Sequence, residues 1–243
     1  MAYSYRHKVT IDSRDTDGTG RCKASALLGH LQEAATQAAE RGGFGRDVLL
    51  RESNGFWMLT RVWVRLERPL RWGEEITVHT WHRGGKSAVS YRDYDLYVGE
   101  ERVGEGVSAW VLANLDTHKL IRLSTVPIMS QTDGGELCKT LTLSKLRCPV
   151  DLTEVDRRPM RYSDTDINGH VNNTRYADFA CDALEGEMLR EDRFLQELQI
   201  GYLAECRPGE CLTMEVGDME EGYYVRGLDE AGKARFEAQL IFG

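Results

Sequence analysis

No long uncharged apolar run occurs in this sequence, so nothing in it reads as a transmembrane helix. Its start, Met1-Ala-Tyr-Ser-Tyr-Arg-His-Lys8, has neither an apolar signal region nor a long Arg/Ser-rich transit peptide. The expectation is a cytoplasmic protein without a membrane role. A basic surplus is also lacking: 31 Lys and Arg stand against 39 Asp and Glu. The resulting net charge of −8 argues against a nucleic-acid partner. Of the six cysteines (Cys22, Cys138, Cys148, Cys181, Cys206 and Cys211), none forms a CxxC pair, and no histidine lies at zinc-finger spacing. Neither a metal site nor a disulfide framework is expected, and no cofactor. Most of these cysteines read as small, reduced, buried hydrophobes.

The chain has 243 residues, 41% hydrophobic and 29% charged, enough for one large core or two small ones. Residues 3–12 alternate weakly as a strand. Residues 24–40 read as a helix with Leu27, Leu28, Leu31, Ala34, Ala35 and Ala38 on one face, ended by Gly42-Gly43. The alanines imply close approach of another surface, as when a sheet wraps a helix. From Gly55 the pattern turns to strands. Over 56–66, Met58, Thr60, Val62, Val64 and Leu66 face one way, while Trp57, Leu59, Arg61, Trp63 and Arg65 face the other. Further strands are expected near 75–83, 87–98 and 101–114, with hairpin corners at Gly84-Gly85 and Gly99-Glu100. Residues 124–151 have no clear period, and Thr132-Asp-Gly-Gly135 marks a loop, so this stretch reads as a connector.

The second half repeats the first. Asp15-Thr-Asp17 recurs as Asp164-Thr-Asp166, an offset of 149 (164 − 15). Arg71-Trp-Gly-Glu74 recurs as Arg207-Pro-Gly-Glu210, an offset of 136 (207 − 71). Strands are expected near 155–163, 194–206, 210–218, 220–228 and 232–242, giving two copies of strand, helix and strands. The copies differ at chemical positions: Thr19 stands for Asn168, Arg21 for His170 and Pro69 for Glu205.

Residues 161–176 hold the richest polar cluster, Asp164, Asp166, Asn168 and His170 at alternate positions. They run into a helical apolar pattern of Tyr176, Phe179, Ala180, Ala183, Leu184 and Met188, with Asn172 or Asn173 as the expected cap. One reading is a polar turn capping a helix. A second is calcium, since Asp164-x-Asp166-x-Asn168-Gly169 copies the first half of an EF-hand loop. The twelfth place should then be Glu, and it is Arg175. The third is an active site, with a carboxylate, a carboxamide and an imidazole beside a helix N-terminus, whose N–H groups polarise a carbonyl.

Through Asp166-x-Asn168-x-His170-Val-Asn-Asn the sequence resembles the acyl-acyl-carrier-protein thioesterases of plant plastids and bacteria. Leu28-Gly-His-Leu-Gln-Glu-Ala-Ala35, Trp57-Met-Leu-Thr-Arg61, Trp72-Gly-Glu, Val78-His-Thr-Trp81, Ser108-Ala-Trp-Val111 and Tyr202-Leu-Ala-Glu205-Cys206 are similar to stretches of that family in the same order. The resemblance implies an α+β, tandem (double) hotdog fold, each unit a long helix wrapped by an antiparallel sheet. The units fall at 1–123, with the substrate pocket, and 152–243, with the catalytic residues, joined by a connector at 124–151. It implies hydrolysis of fatty acyl thioesters of acyl carrier protein, with Asp166, Asn168, His170 and Glu205 catalytic. Cys206 matches a cysteine once cast as nucleophile in the family, so a Cys206/His170 scheme stands beside water attack assisted by Asp166 or Glu205, or direct attack by Asp166. Carbonyl-binding N–H groups are expected near 170–173. The long N-terminal extension of the plastid members is missing, which suggests a bacterial protein.

For the acyl chain, an apolar slot is expected on the helix-facing positions Met58, Val62, Val64 and Trp110 of the first copy. Arg61, Arg65, Arg68 and Arg71 form a basic run with no assigned role. An acyl-CoA thioesterase and a non-catalytic acyl- or carrier-binding protein on the same scaffold are the alternatives. Both monomer and homodimer fit a duplicated chain.

Overall fold

The computed structural model describes residues 4–126, 135 and 139–243. Cys138 and most of the Thr132–Gly135 loop lie outside the described residues. By packing, the chain divides into two units. One comprises Met1–Thr10, Gly29–Val62 and Gly73–Leu143, the other Ile11–Leu28, Trp63–Trp72 and Ser144–Gly243.

In the N-terminal half of the chain, whose residues 11–28 and 63–72 belong to the second unit and the rest to the first, β1 (Ser4–Thr10) pairs antiparallel with β3 (Glu75–Lys86), Ser4 opposite Trp81 and Thr10 opposite Glu75. Helix α1 (Ala24–Arg41) buries the apolar face read from its period: Leu27, Leu28, Leu31, Ala34, Ala35 and Ala38 are all within the core. It ends as its glycines require. Gly43 sits at φ +78°, and the Phe44 N–H closes back onto the Ala39 carbonyl at 3.0 Å. A second helix, α2 (Arg46–Ser53), was not foreseen. Its single buried residue, Leu49, joins Phe44, Leu112, Leu123 and Val126 in one cluster. Strand β2 (Gly55–Leu66) alternates as expected over its second half, where Val62, Val64 and Leu66 are buried. With β4 (Val89–Val98) and β5 (Glu101–Asn114), the strand order here is β1-β3-β4-β5-β2.

Gly84-Gly85 is not the hairpin corner expected. The β3 strand runs on to Lys86, its register shifts between His82 and Gly84, and the chain reverses after Ser87, at φ +61°. Gly84, at φ +93°, forms the bulge. A Cβ on Gly85 would lie 2.8 Å from the Val89 carbonyl oxygen, so glycine here permits close pairing rather than a turn. At the other expected corner, Gly99 takes φ +60° between β4 and β5.

In the second unit the elements are β6 (Thr153–Pro159), α3 (Arg175–Asp182), α4 (Glu185–Met188), β7 (Leu195–Tyr202), β8 (Cys211–Asp218), β9 (Tyr223–Leu228) and β10 (Ala234–Phe242). Their strand order is β7-β10-β9-β8-β6. The helix expected through Met188 breaks after Asp182, because Leu184 leaves helical space at φ −121°, ψ 32°. Tyr176 anchors α3 to the sheet, its ring 5.1 Å from Phe236 and 5.7 Å from Tyr202.

The repeat is written in the backbone hydrogen bonds. Asp17 N–H reaches the Arg21 carbonyl at 2.9 Å, and Asp166 N–H reaches that of His170 at 2.9 Å. Lys23 N–H bonds the Asp15 carbonyl at 2.8 Å, as Asn172 N–H bonds that of Asp164 at 2.8 Å. Cys22 N–H to Leu70 O, 2.8 Å, has its counterpart in Val171 N–H to Cys206 O, 2.9 Å. That last bond joins the two offsets, since its donors are 149 apart and its acceptors 136 apart (171 − 22 and 206 − 70).

Polar hooks hold the connector. Lys139 Nζ lies 2.9 Å from both Asp95 Oδ1 and Glu105 Oε2, and its N–H donates to Asp93 at 2.9 Å. Further on, the Ser144 carbonyl accepts from Gln199 at 3.0 Å, and Leu146 N–H donates to Glu237 at 3.0 Å. Among the described residues no helix is long and apolar enough to cross a membrane.

Candidate active site

Asp166, Asn168 and His170 project from one closed turn. Asp166 Oδ1 accepts the Asn168 N–H at 2.8 Å, and Oδ2 accepts the Asn168 side-chain amide at 3.3 Å. This is an Asx turn, which a carboxylate or carboxamide makes with the N–H two residues on. Gly169 completes it at φ +76°, in the left-handed region where glycine has no Cβ to clash. The Val171–Cys206 backbone bond then lays the end of the turn beside the segment after β7. As a result His170 Nε2 stands 3.2 Å from Glu205 Oε2, with the two side chains 26% and 44% exposed. The structure therefore joins Asp166 to Asn168 and His170 to Glu205, in one solvent-accessible patch of the second copy.

Asp164 supports the turn. Only 5% exposed, its carboxylate accepts the Arg161 N–H at 2.8 Å and pairs with Arg175 at 3.2 Å. Arg175, at the place an EF-hand gives to glutamate, thus puts a guanidinium on the first of the calcium-type ligands. Among the described residues no group of three or more His, Cys, Asp and Glu could hold a metal ion. The helix cap differs from expectation. Thr174 is the N-cap residue, without a side-chain capping bond to the helix, and Asn172 Oδ1, two residues earlier, accepts the Thr174 N–H at 2.9 Å and the Thr174 hydroxyl at 3.0 Å. Of the backbone N–H groups near 170–173, those of Val171 and Asn172 are already bonded to Cys206 and Asp164.

Cys206 is 0% exposed. Burial pushes its thiol pKa up, and the Tyr176 hydroxyl is hydrogen-bonded to it. A thiol held protonated in the core is suited to packing rather than attack. In the expected acyl slot, Val62 and Val64 are buried and Met58 and Trp110 half-buried. The Trp110 indole is oriented by Ser108, whose Oγ accepts its N–H at 2.7 Å and lies 3.0 Å from the Tyr94 hydroxyl. Thr80, His82, Ser90 and Arg92 are buried alongside on β3 and β4, a polar layer not read from sequence.

In the first copy the same turn has lost the chemical groups and kept the scaffold. Asp17 Oδ1 accepts the Thr19 N–H at 2.8 Å and the Thr19 hydroxyl at 2.7 Å. Arg21, in the place of His170, donates to the carbonyls of Arg190, Glu191 and Arg193 at 3.0, 3.1 and 2.8 Å. It holds the segment between α4 and β7 and is structural.

Comparison with known proteins bears on the whole chain. Residues 2–126 match the family model described as acyl-ACP thioesterase N-terminal domain, and residues 149–240 match the acyl-ACP thioesterase C-terminal domain. The chain is 24% identical to oleoyl-acyl carrier protein thioesterase 1, chloroplastic, of Arabidopsis thaliana, over 88% of this chain and 65% of that protein. It is 27% identical to dodecanoyl-[acyl-carrier-protein] hydrolase, chloroplastic, of Cinnamomum camphora, over 90% of this chain and 61% of the relative. The chain thus spans less than two thirds of the length of these plant relatives. Its fold matches the crystal structure of an acyl-ACP thioesterase from Bacteroides thetaiotaomicron, with a TM-score of 0.90 at 24% identity, covering 99% of this chain and 98% of the other. The 12:0-ACP thioesterase from Umbellularia californica matches with a TM-score of 0.78 at 20% identity, over 99% and 97%. The fold is the expected tandem hotdog.

Proposed function

The chain belongs to the acyl-ACP thioesterase family, and from that premise we propose that it hydrolyses fatty acyl thioesters of acyl carrier protein, releasing free fatty acid and carrier protein. The observation that carries this reading is the His170–Glu205 contact at 3.2 Å, built in the copy that keeps both groups. The loaded acyl carrier protein is the partner, and the location is cytoplasmic.

Water attacks the thioester carbonyl carbon, and the proton it releases passes to the His170–Glu205 pair. The carbonyl oxygen becomes an oxyanion, received by the N–H groups of His170 and Asn173. As the tetrahedral intermediate collapses, the carbon–sulfur bond breaks and the pair returns the proton to the departing thiolate. Asn168, held by Asp166, orients the water. Both Asp166 oxygens already accept from Asn168, which favours an anchoring role over direct attack. The acyl chain occupies the slot bearing Met58, Val62, Val64 and Trp110. In this reading 1–123 supplies the slot, 152–243 the chemistry, and 124–151 connects them.

The test is hydrolysis of acyl-carrier-protein thioesters from short to long chains, beside matched acyl-CoAs. Carrier-protein turnover above CoA turnover, lost in folded His170→Ala, is the expected result. Preference for CoA would move the assignment to acyl-CoA hydrolysis. Acyl binding without turnover would leave a binding protein.

A further inference from the structure

Glu205 lies on neither helix nor strand; it follows β7 in a short segment, and something must hold that segment against His170. One residue of β10 does so from two sides. The carbonyl of Arg235 accepts the N–H of Leu203 at 2.9 Å and that of Ala204 at 3.0 Å. Its guanidinium turns back and donates from Nη1 to the Glu205 carbonyl at 2.8 Å. The next residue, Cys206, is fixed by the Val171 N–H. Every residue from 203 to 206 is thereby tied by its backbone, three of the four to Arg235. The guanidinium is itself set: its Nε donates to Asp229 Oδ2 at 2.9 Å. Asp229 is in turn gripped by the N–H groups of Ala231 and Lys233, at 3.0 and 2.8 Å.

We propose that Arg235 is a positioning residue that aims Glu205 at His170, with Asp229 holding the guanidinium in register. The inference rests on the reading of Glu205 as the working partner of His170. The forked geometry matters, because a guanidinium reaches a carboxylate and a carbonyl at once with fixed angles, and a lysine ammonium does not. A misplacement of about 1 Å at a reacting group costs on the order of a hundred-fold in rate, so even partial release of the segment registers in turnover.

The test uses the full chain and an acyl-carrier-protein thioester, with native protein, Glu205→Gln, Arg235→Gln and the double variant. Arg235→Gln is expected to lower kcat about ten-fold with KM held within roughly two-fold, and Arg235→Lys to recover only part of it. The double variant is expected to be no slower than Glu205→Gln alone, since both changes break one contact. Losses that multiply, or a folded Arg235→Gln with native kcat, would overturn the proposal. The ring-nitrogen resonances of His170 give a readout independent of turnover. Both single variants should displace them in the same direction, and no displacement in Arg235→Gln would also overturn it. Glu205→Gln at native rate with displaced resonances would sink the catalytic assignment of Glu205 while leaving the positioning geometry supported. Should Arg235→Gln fail to fold, Asp229→Asn, which frees the guanidinium in place, is put through the same measurements with the same criteria.

Discussion

Asp166 and Cys206 show how differently two residues of one motif can be used. In Asp166→Asn the remaining side-chain oxygen can still accept the Asn168 N–H, so the turn survives without its charge. Turnover is expected to fall about ten-fold in Asp166→Asn and about a hundred-fold in Asp166→Ala, with roughly 1 kcal/mol of stability lost in the latter. Equal, complete loss in both would mean that the carboxylate itself attacks. Cys206→Ala should keep turnover while costing about 1 kcal/mol for the small cavity left beside Tyr176; a folded but inactive Cys206→Ala would restore the thiol as nucleophile. The alternate polar positions from Asp164 to His170 were legible because chemical residue types crowded one short stretch. Arg235 was not legible. It works through its backbone carbonyl and a main-chain acceptor, and neither leaves a mark in the residue pattern.

Among the elements, those set by period were read and those set by contact were not. The apolar face of α1 and the alternation of β2 follow from spacing alone. By contrast, α2 has one buried residue in eight and exists because Leu49 fills a cluster assembled from distant residues. Gly84-Gly85 resembled a corner but marks a bulge. The start of α3 depends on an ion pair, since Arg175, its first residue, holds the buried Asp164. Arg175→Met strands that carboxylate and should cost about 3 kcal/mol, measured by urea unfolding. The connector makes a pH prediction. Burial works against the charged forms of Asp95 and Glu105, but hydrogen bonds and charge from Lys139 and Arg102 outweigh it and hold both carboxyls below their ordinary range. The unfolded chain therefore binds more protons on acidification, so this stabilisation is complete above the ordinary carboxylate range and fades as pH falls through it and below. Lys139→Met should lower stability by roughly 1 kcal/mol at pH 7 and by less in acid; an equal difference at both pH values would refute the linkage.

Taken as a whole, the molecule is one scaffold written twice and employed twice. Arg21→Ala removes three bonds to carbonyls and should cost about 2 kcal/mol of stability. His170→Ala, at the matching position, should leave the melt nearly unchanged and abolish turnover. Thermal unfolding and rate assays on the two variants separate them, and a destabilised His170→Ala would show the second turn to be structural as well. The duplication was legible because Asp-Thr-Asp and Trp/Pro-Gly-Glu survive in both copies; the altered use of Arg21 was not, since its acceptors are main-chain carbonyls. The two offsets differ by 13 residues (149 − 136), all of them between the turn and the segment that bonds it. In the first copy that interval holds α1 and α2, 18 and 8 residues long; in the second, α3 and α4, 8 and 4. The same interval holds β2 and β7, 12 and 8 residues long, so chain length has drifted across its helices and its strand, while the bonded turn on either side stayed in step. Insertions made between 183 and 189, ahead of the carbonyls that Arg21 holds, should therefore be absorbed as loop or helix, whereas a single residue added between 164 and 172 would put Asp166, Asn168 and His170 out of phase with Glu205.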